Sequence, residues 1–287
     1  MIGSSIKRVL LIVTIGVLAA SGSLTAHAQS KNPTLEWFSW SIFRLTSTSG
    51  KVFLTNPFVV NPFSQVTVDD FKKVDYILVP TGHGDEIGQT AEIALKTGAK
   101  IFTTFTFARG YFGPRKISTR QIFRVGPGSR VRVDGMTVRA VNAVHGSTTR
   151  EGLSDASAMG YFITFENGLT VYFAGSTAVT MDMQLWGRLY KPDVAILPLG
   201  PSTDPGDVVE MVKLLRTDNP NLKTIVPHHH NFGLKVRANV PAKRAKGISR
   251  RYNGGTKPAD LAAALKKAGL PVRLLDPELG KVYELTK

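Results

Sequence analysis

Six histidines occur in the chain. Apart from His27, they fall at only three places: His83, His145 and the triplet His228-His229-His230. Each place ends a run that reads as a strand, namely Tyr76 to Val79, Met136 to Ala143 and Thr224 to Val226. Sheet proteins build sites at the carboxyl ends of strands. A fold that satisfies this pattern must therefore bring three strand ends to one side. The first place is the most informative, because Pro80-Thr81-Gly82-His83-Gly84-Asp85-Glu86 puts an imidazole and a carboxylate two residues apart on a glycine-loosened loop. Those donors at that spacing suit a zinc-type ion. A lone histidine is more often a core or surface residue, but five at strand-end loops point to a shared site.

The remaining pattern bounds the architecture. Asp134-Gly135 and Asn167-Gly168 are hairpin signals between strand-like runs. Thr67 with Asp70 reads as a capping box. A helix is expected from about Ile87 to Thr97, with Gly98 as its stop. Beyond residue 180 strands and helices alternate, with helices near 183–189, 208–215 and 258–268. Two mixed sheets with helices on their outer faces, a four-layer αββα sandwich of the α/β class, satisfy this order.

The N-terminus reads as a targeting signal. Lys7 and Arg8 precede the apolar run Val9 to Ala20, and Ala26-His27-Ala28 offers a small-x-small cleavage site. Twelve apolar residues are too few to span a bilayer. The expectation is a signal peptide over residues 1–28, a single domain over residues 29–287, and a periplasmic or secreted protein. No cysteine is present, which excludes disulfides and a lipid-anchored cysteine.

The net charge is +15, which speaks to partners rather than fold. Eight of the cations lie between Lys235 and Lys257 with no acidic residue among them. That segment reads as a solvated loop, as a lid recruiting a small anionic substrate, or as a patch for weak contact with anionic surfaces. Tyr252 is its one aromatic residue, so no specific nucleic-acid recognition is expected.

Taken together, several stretches resemble the metallo-β-lactamase superfamily, in particular its branch of ascorbate-6-phosphate lactonase-like hydrolases. They are Val74 to Val79 leading into Gly82-His83-Gly84-Asp85, Ala143-Val144-His145-Gly146, Val171 to Thr177, Pro192 to Gly200, and Ile225 to Asn231. The resemblance assigns one metal to Thr81, His83 and His145. It assigns a second to Asp85, Glu86 and His229, with Ser176 where a bridging aspartate belongs. Thr81, Glu86 and Ser176 depart from the pattern, as do Ser39-Trp40-Ser41 (for Gly-His-Ser) and Asn56 (for an aspartate).

In such a fold the ion polarises a substrate oxygen and makes bound water acidic. With the bridge reduced to a serine, one divalent ion is expected, zinc ahead of manganese or iron. Its ligands would come from His83, Asp85, Glu86, His145 and His229, with Asp85 and Ser176 as catalytic groups. The expected activity is hydrolysis of an ester, lactone or phosphoester. The rival expectation is an inactive protein of this fold that binds an anionic ligand. A dinucleotide-binding reading of Gly82-x-Gly84-x-x-x-Gly88 fails on spacing and on the charge of Asp85 and Glu86. No Gly-x-Ser-x-Gly elbow occurs around Ser147 or Ser176.

Overall fold

The computed structural model describes residues 31–200, 202–230, 233–241, 243, 246 and 257–287. The expected signal segment lies outside these residues, as does much of the basic stretch 235–257. The first of two seven-stranded sheets runs in the order β14 (Val282–Glu284), β1 (Thr34–Trp37), β2 (Phe43–Thr46), β3 (Val52–Thr55), β4 (Tyr76–Leu78), β5 (Lys100–Thr103) and β6 (Ile122–Arg124). The second runs β13 (Arg273–Leu274), β12 (Thr224–His228), β11 (Val194–Pro198), β10 (Thr170–Phe173), β9 (Ala158–Thr164), β8 (Met136–Ala143) and β7 (Arg130–Val133).

Both sheets are mixed in the same way. Pairing is antiparallel from β14 to β3 and parallel from β3 to β6. In the second sheet it is antiparallel from β7 to β10 and parallel from β10 to β13. The last strand pairs with the first, Leu35 opposite Tyr283.

The alternation of side chains along each strand sorts them into layers. Val171, Phe173, Val194 and Ile196 enter the core between the sheets, against Phe43, Phe53 and Phe102. Their neighbours Tyr172, Ala195 and Leu197 face outward to α3 (Asp182–Tyr190), α4 (Pro205–Arg216) and α5 (Pro258–Lys267). On the other side, Ile77, Val79 and Ile101 pack against Ile93 and Ala94 of α2 (Thr90–Thr97). Burying each large apolar side chain is worth about 1.5–3 kcal/mol, so three such clusters make the expected αββα order the stable one.

Local signals behave as their chemistry requires. Thr67 and Asp70 form the reciprocal capping box. Asp134 and Gly135 both take positive φ in the turn that pairs Val133 with Met136. Gly98 ends α2 in the left-handed conformation, its N–H bonded to Ala94.

Two details differ from the sequence reading. Strand β5 was not anticipated; Ile101, Phe102 and Thr103 are buried, and a strand covered on both faces shows no polar alternation to betray it. The helix expected from Ile87 is broken: α1 (Gly84–Ile87) ends at Gly88, which turns with φ 42°. A Cβ there would sit 2.5 Å from the Pro57 backbone, so the chain must break where it passes that segment.

Candidate metal centre

The carboxyl ends of β1, β4, β8, β10, β11 and β12 lie at one end of the sandwich, and the loops leaving them form a cleft of about 370 Å³. It is lined by Trp40, His83, Asp85, His145, Ser176 and His229, with Pro198, Gly200 and Thr203 among its walls. The structure thus brings together His83, Asp85, His145, Ser176 and His229, as the sequence reading required.

Backbone strain concentrates around this cleft. Among the described residues, eight other than glycine have positive φ, and Ser39, Trp40, Asn56 and His229 are four of them. For residues as large as Trp40 (φ 53°) and His229 (φ 62°) that conformation is disfavoured. It persists where surrounding structure enforces it, characteristically at functional sites. The two strained turns hold each other, since His229 N–H donates to the Trp40 carbonyl at 3.1 Å. Gly175 plays the complementary part under Ser176, because a Cβ there would lie 2.8 Å from Pro80 Cβ.

On one side of the cleft, the rings of His83 and His145 meet edge to face, centroids 4.9 Å apart. Among the described residues neither ring nitrogen set has a hydrogen-bond partner. On the other side each residue has a partner. The Trp40 indole N–H donates to Asp85 Oδ2 at 3.0 Å, and His229 Nε2 lies 3.8 Å from the same oxygen. Ser176 Oγ is 3.1 Å from His229 Nε2, while Ser41 Oγ is 3.0 Å and His228 Nδ1 2.6 Å from His229 Nδ1. Burial holds the His229 imidazole below its ordinary pKa, against the upward pull of Glu86 and Asp85. Burial also holds His228 well below its ordinary value and brings His230, stacked on Trp37, to about 4.

Glu86 requires a correction. It is fully buried and does not face the cleft. Thr81 Oγ1 donates to its Oε2 at 2.5 Å, and Asn56 Nδ2 and the Ser176 N–H donate to its Oε1 at 3.1 and 3.0 Å. Desolvating a carboxylate is costly unless donors compensate it. Three donors from three separate loops do so here, and they turn Glu86 into a tie between loops rather than a ligand. The departures Thr81 and Asn56 are its partners.

The arrangement tests which ions these residues could hold. Among the described residues, no three His, Asp or Glu side chains are grouped so that they could hold a metal ion as they stand, so binding one requires side chains to turn toward it. A two-ion set does not fit: Ser176 offers no bridging carboxylate and Glu86 is committed elsewhere. One divalent ion fits the donor chemistry, with unpartnered imidazoles at His83 and His145 and a carboxylate at Asp85 or the His229 ring to complete the set. The sequence reading named Trp40 only as a departure. That its N–H caps Asp85, and that Ser41 and His228 brace His229, carried no local sequence signal.

Comparison with known proteins places the chain in a family. Residues 45–230 match the family described as Beta-lactamase superfamily domain. A metal-dependent hydrolase of Caldivirga maquilingensis is 32% identical over 206 residues, covering 71% of this chain and 84% of the relative. One from Pyrococcus furiosus is 36% identical over 184 residues, covering 63% and 78%. Among solved structures, the metallo hydrolase Igni18 of Ignicoccus hospitalis superposes with TM-score 0.68 at 26% identity, covering 89% of this chain and all of that one. By fold, by matched segment and by these relatives, the chain belongs to the metallo-β-lactamase superfamily.

Proposed function

We propose that this chain is an exported hydrolase that works with a single divalent ion on an ester, lactone or phosphoester bearing negative charge. The observation that carries this reading is the unpartnered imidazole pair His83–His145, facing Asp85 and His229 across one cleft. The relatives named metal-dependent hydrolases support it. Export is supported by the basic and apolar segments before Ala28, and an anionic substrate by the excess of cations.

His83 and His145, with Asp85 or His229, would hold the ion. When bound, it supplies Lewis acidity toward a substrate oxygen and makes water acidic enough to attack near neutral pH. The chain's own groups do the rest. Trp40 fixes Asp85 through Oδ2 and leaves Oδ1 to accept a proton from the attacking water. His229, kept neutral by burial, accepts the Ser176 hydroxyl hydrogen or donates to its oxygen. Ser176 Oγ, at the cleft surface, is thereby placed to hydrogen-bond a substrate or leaving-group oxygen. Arg237 belongs to the basic segment but does not serve as a free lid cation. Its guanidinium donates to the carbonyls of Ser64, Val59 and Val66.

Metal analysis of the mature protein after saturation with zinc, manganese or iron, and exhaustive washing, tests the reading. About one equivalent is expected. Well under one equivalent with every metal would leave the cleft as a binding site for an anionic ligand.

A further inference from the structure

We propose that a groove of about 580 Å³ at the opposite end of the second sheet binds a small soluble ligand carrying two or more phosphate groups. Arg130, Arg139, Lys191, Lys223 and Lys287 line it, with Asp193 as the one acidic residue among its lining. Strands β10, β11 and β12 begin beside this groove, at Thr170, Asp193 and Lys223, and lead to Ser176, Pro198 and His229 in the cleft. A five-residue strand spans about 17 Å, so a ligand in the groove cannot reach His83 or His145.

Two observations point to an anion. First, Arg130 stands directly opposite Arg139 in the β7–β8 pair. Paired residues project to the same face, and like charges placed so are destabilising. Second, none of the five cations is in an ion pair among the described residues. Asp193 is one carboxylate among five cations, and its Oδ2 accepts the Thr170 N–H at 2.8 Å instead of pairing with any of them.

The groove is also shaped for phosphate rather than for diffuse charge. The Arg139 guanidinium lies over the Tyr190 ring at 4.5 Å, which restrains it in place. A guanidinium so held presents the paired donors that match a phosphate. Lys287 is tethered at the rim, its Nζ donating to the Asn167 carbonyl at 3.1 Å. With Arg130 beside Arg139 and three lysines in the same lining, at least two phosphate groups can be met together.

Titration calorimetry of the mature protein with inorganic tripolyphosphate at about 0.1 M salt tests this, since diffuse surface attraction is partly screened there. One equivalent is expected to bind. The double variant Arg130→Ser/Arg139→Ser should weaken it about tenfold or more, with thermal stability unchanged or slightly higher once the facing charges are gone. Lys72→Ser/Lys73→Ser, an equal charge change in the loop before β4, should alter the affinity less than twofold. Absence of binding overturns the proposal, and so does an equal loss in both double variants, which would mark diffuse charge. Loss of sedimentation with anionic phospholipid vesicles in the arginine variant, with tripolyphosphate binding untouched, overturns it in favour of a membrane surface.

Discussion

The two sides of the cleft are held together differently. On the Asp85–His229 side each residue is held by a neighbour: Trp40 on Asp85 Oδ2, Ser41, Ser176 and His228 on His229, and Thr81, Asn56 and Ser176 N–H on Glu86. On the other side the rings of His83 and His145 touch each other and have no hydrogen-bond partner among the described residues. Hydrogen bonds between side chains can do the structural work of an ion, tying loops together. They cannot supply its charge. The braced side therefore holds the site's shape, and under the proposed function the bare side is the one left open to a cation.

That contrast predicts opposite phenotypes. The largest effect belongs to the bare side: His83→Ala or His145→Ala should reduce bound metal to a small fraction of an equivalent and turnover by about a hundredfold or more. The melting temperature of the chelated protein should scarcely move, since each ring forms no hydrogen bond to be lost. A large fall in that temperature with metal content intact would reverse the assignment of the two sides.

Glu86→Ala should do the converse. Removing the carboxylate strands Thr81, Asn56 and the Ser176 N–H in the interior and costs about 3 kcal/mol. The loss should read out equally in denaturant titrations with and without chelator. If it depends on metal, Glu86 is a ligand after all.

A comparable effect should appear with pH. The folded pKa of His230 lies near 4, below the ordinary 6.5. Its contribution to stability is therefore complete above pH 6.5 and is lost as pH falls toward 4, when the unfolded chain binds the proton first. At 1.36 kcal/mol per pKa unit the loss approaches about 3 kcal/mol. His230→Phe, which keeps an aromatic ring on Trp37, should flatten that slope. An unchanged slope would assign the acid sensitivity to carboxylates instead.

The smallest effect is expected from Trp40→Phe. It removes the N–H from Asp85 at a cost of about 1 kcal/mol and frees that carboxylate for a cation. Equilibrium dialysis should find metal affinity maintained or raised. A sharp fall would mean that Trp40 positions Asp85 for the ion rather than competing with it.

The sequence disclosed the fold wherever a local rule governs. The Asp134-Gly135 turn, the Thr67 capping box and the Gly98 stop are set by residues within a few positions of one another, and strand ends bearing histidine marked the cleft. It was silent where burial erases pattern, as in β5, and where close packing by a distant segment decides, as at Gly88 against Pro57. The fate of Glu86 was equally hidden. A carboxylate beside His83 and Asp85 looks like a ligand until Asn56 and Ser176, 30 and 90 residues away, are seen to reach it. The bare His83–His145 pair was readable because strand ends alone place it.

The pairing of β14 with β1 has a consequence for how the chain is made. Leu285 is fully buried and its N–H bonds to the Pro33 carbonyl, so the first strand stays an open edge until residues 282–285 have been synthesised. An open edge invites pairing with other chains, and contacts this far apart in sequence form slowly. Completion of the first sheet thus waits on a segment about 250 residues downstream of β1, and loss of that segment would leave β1 an adhesive edge.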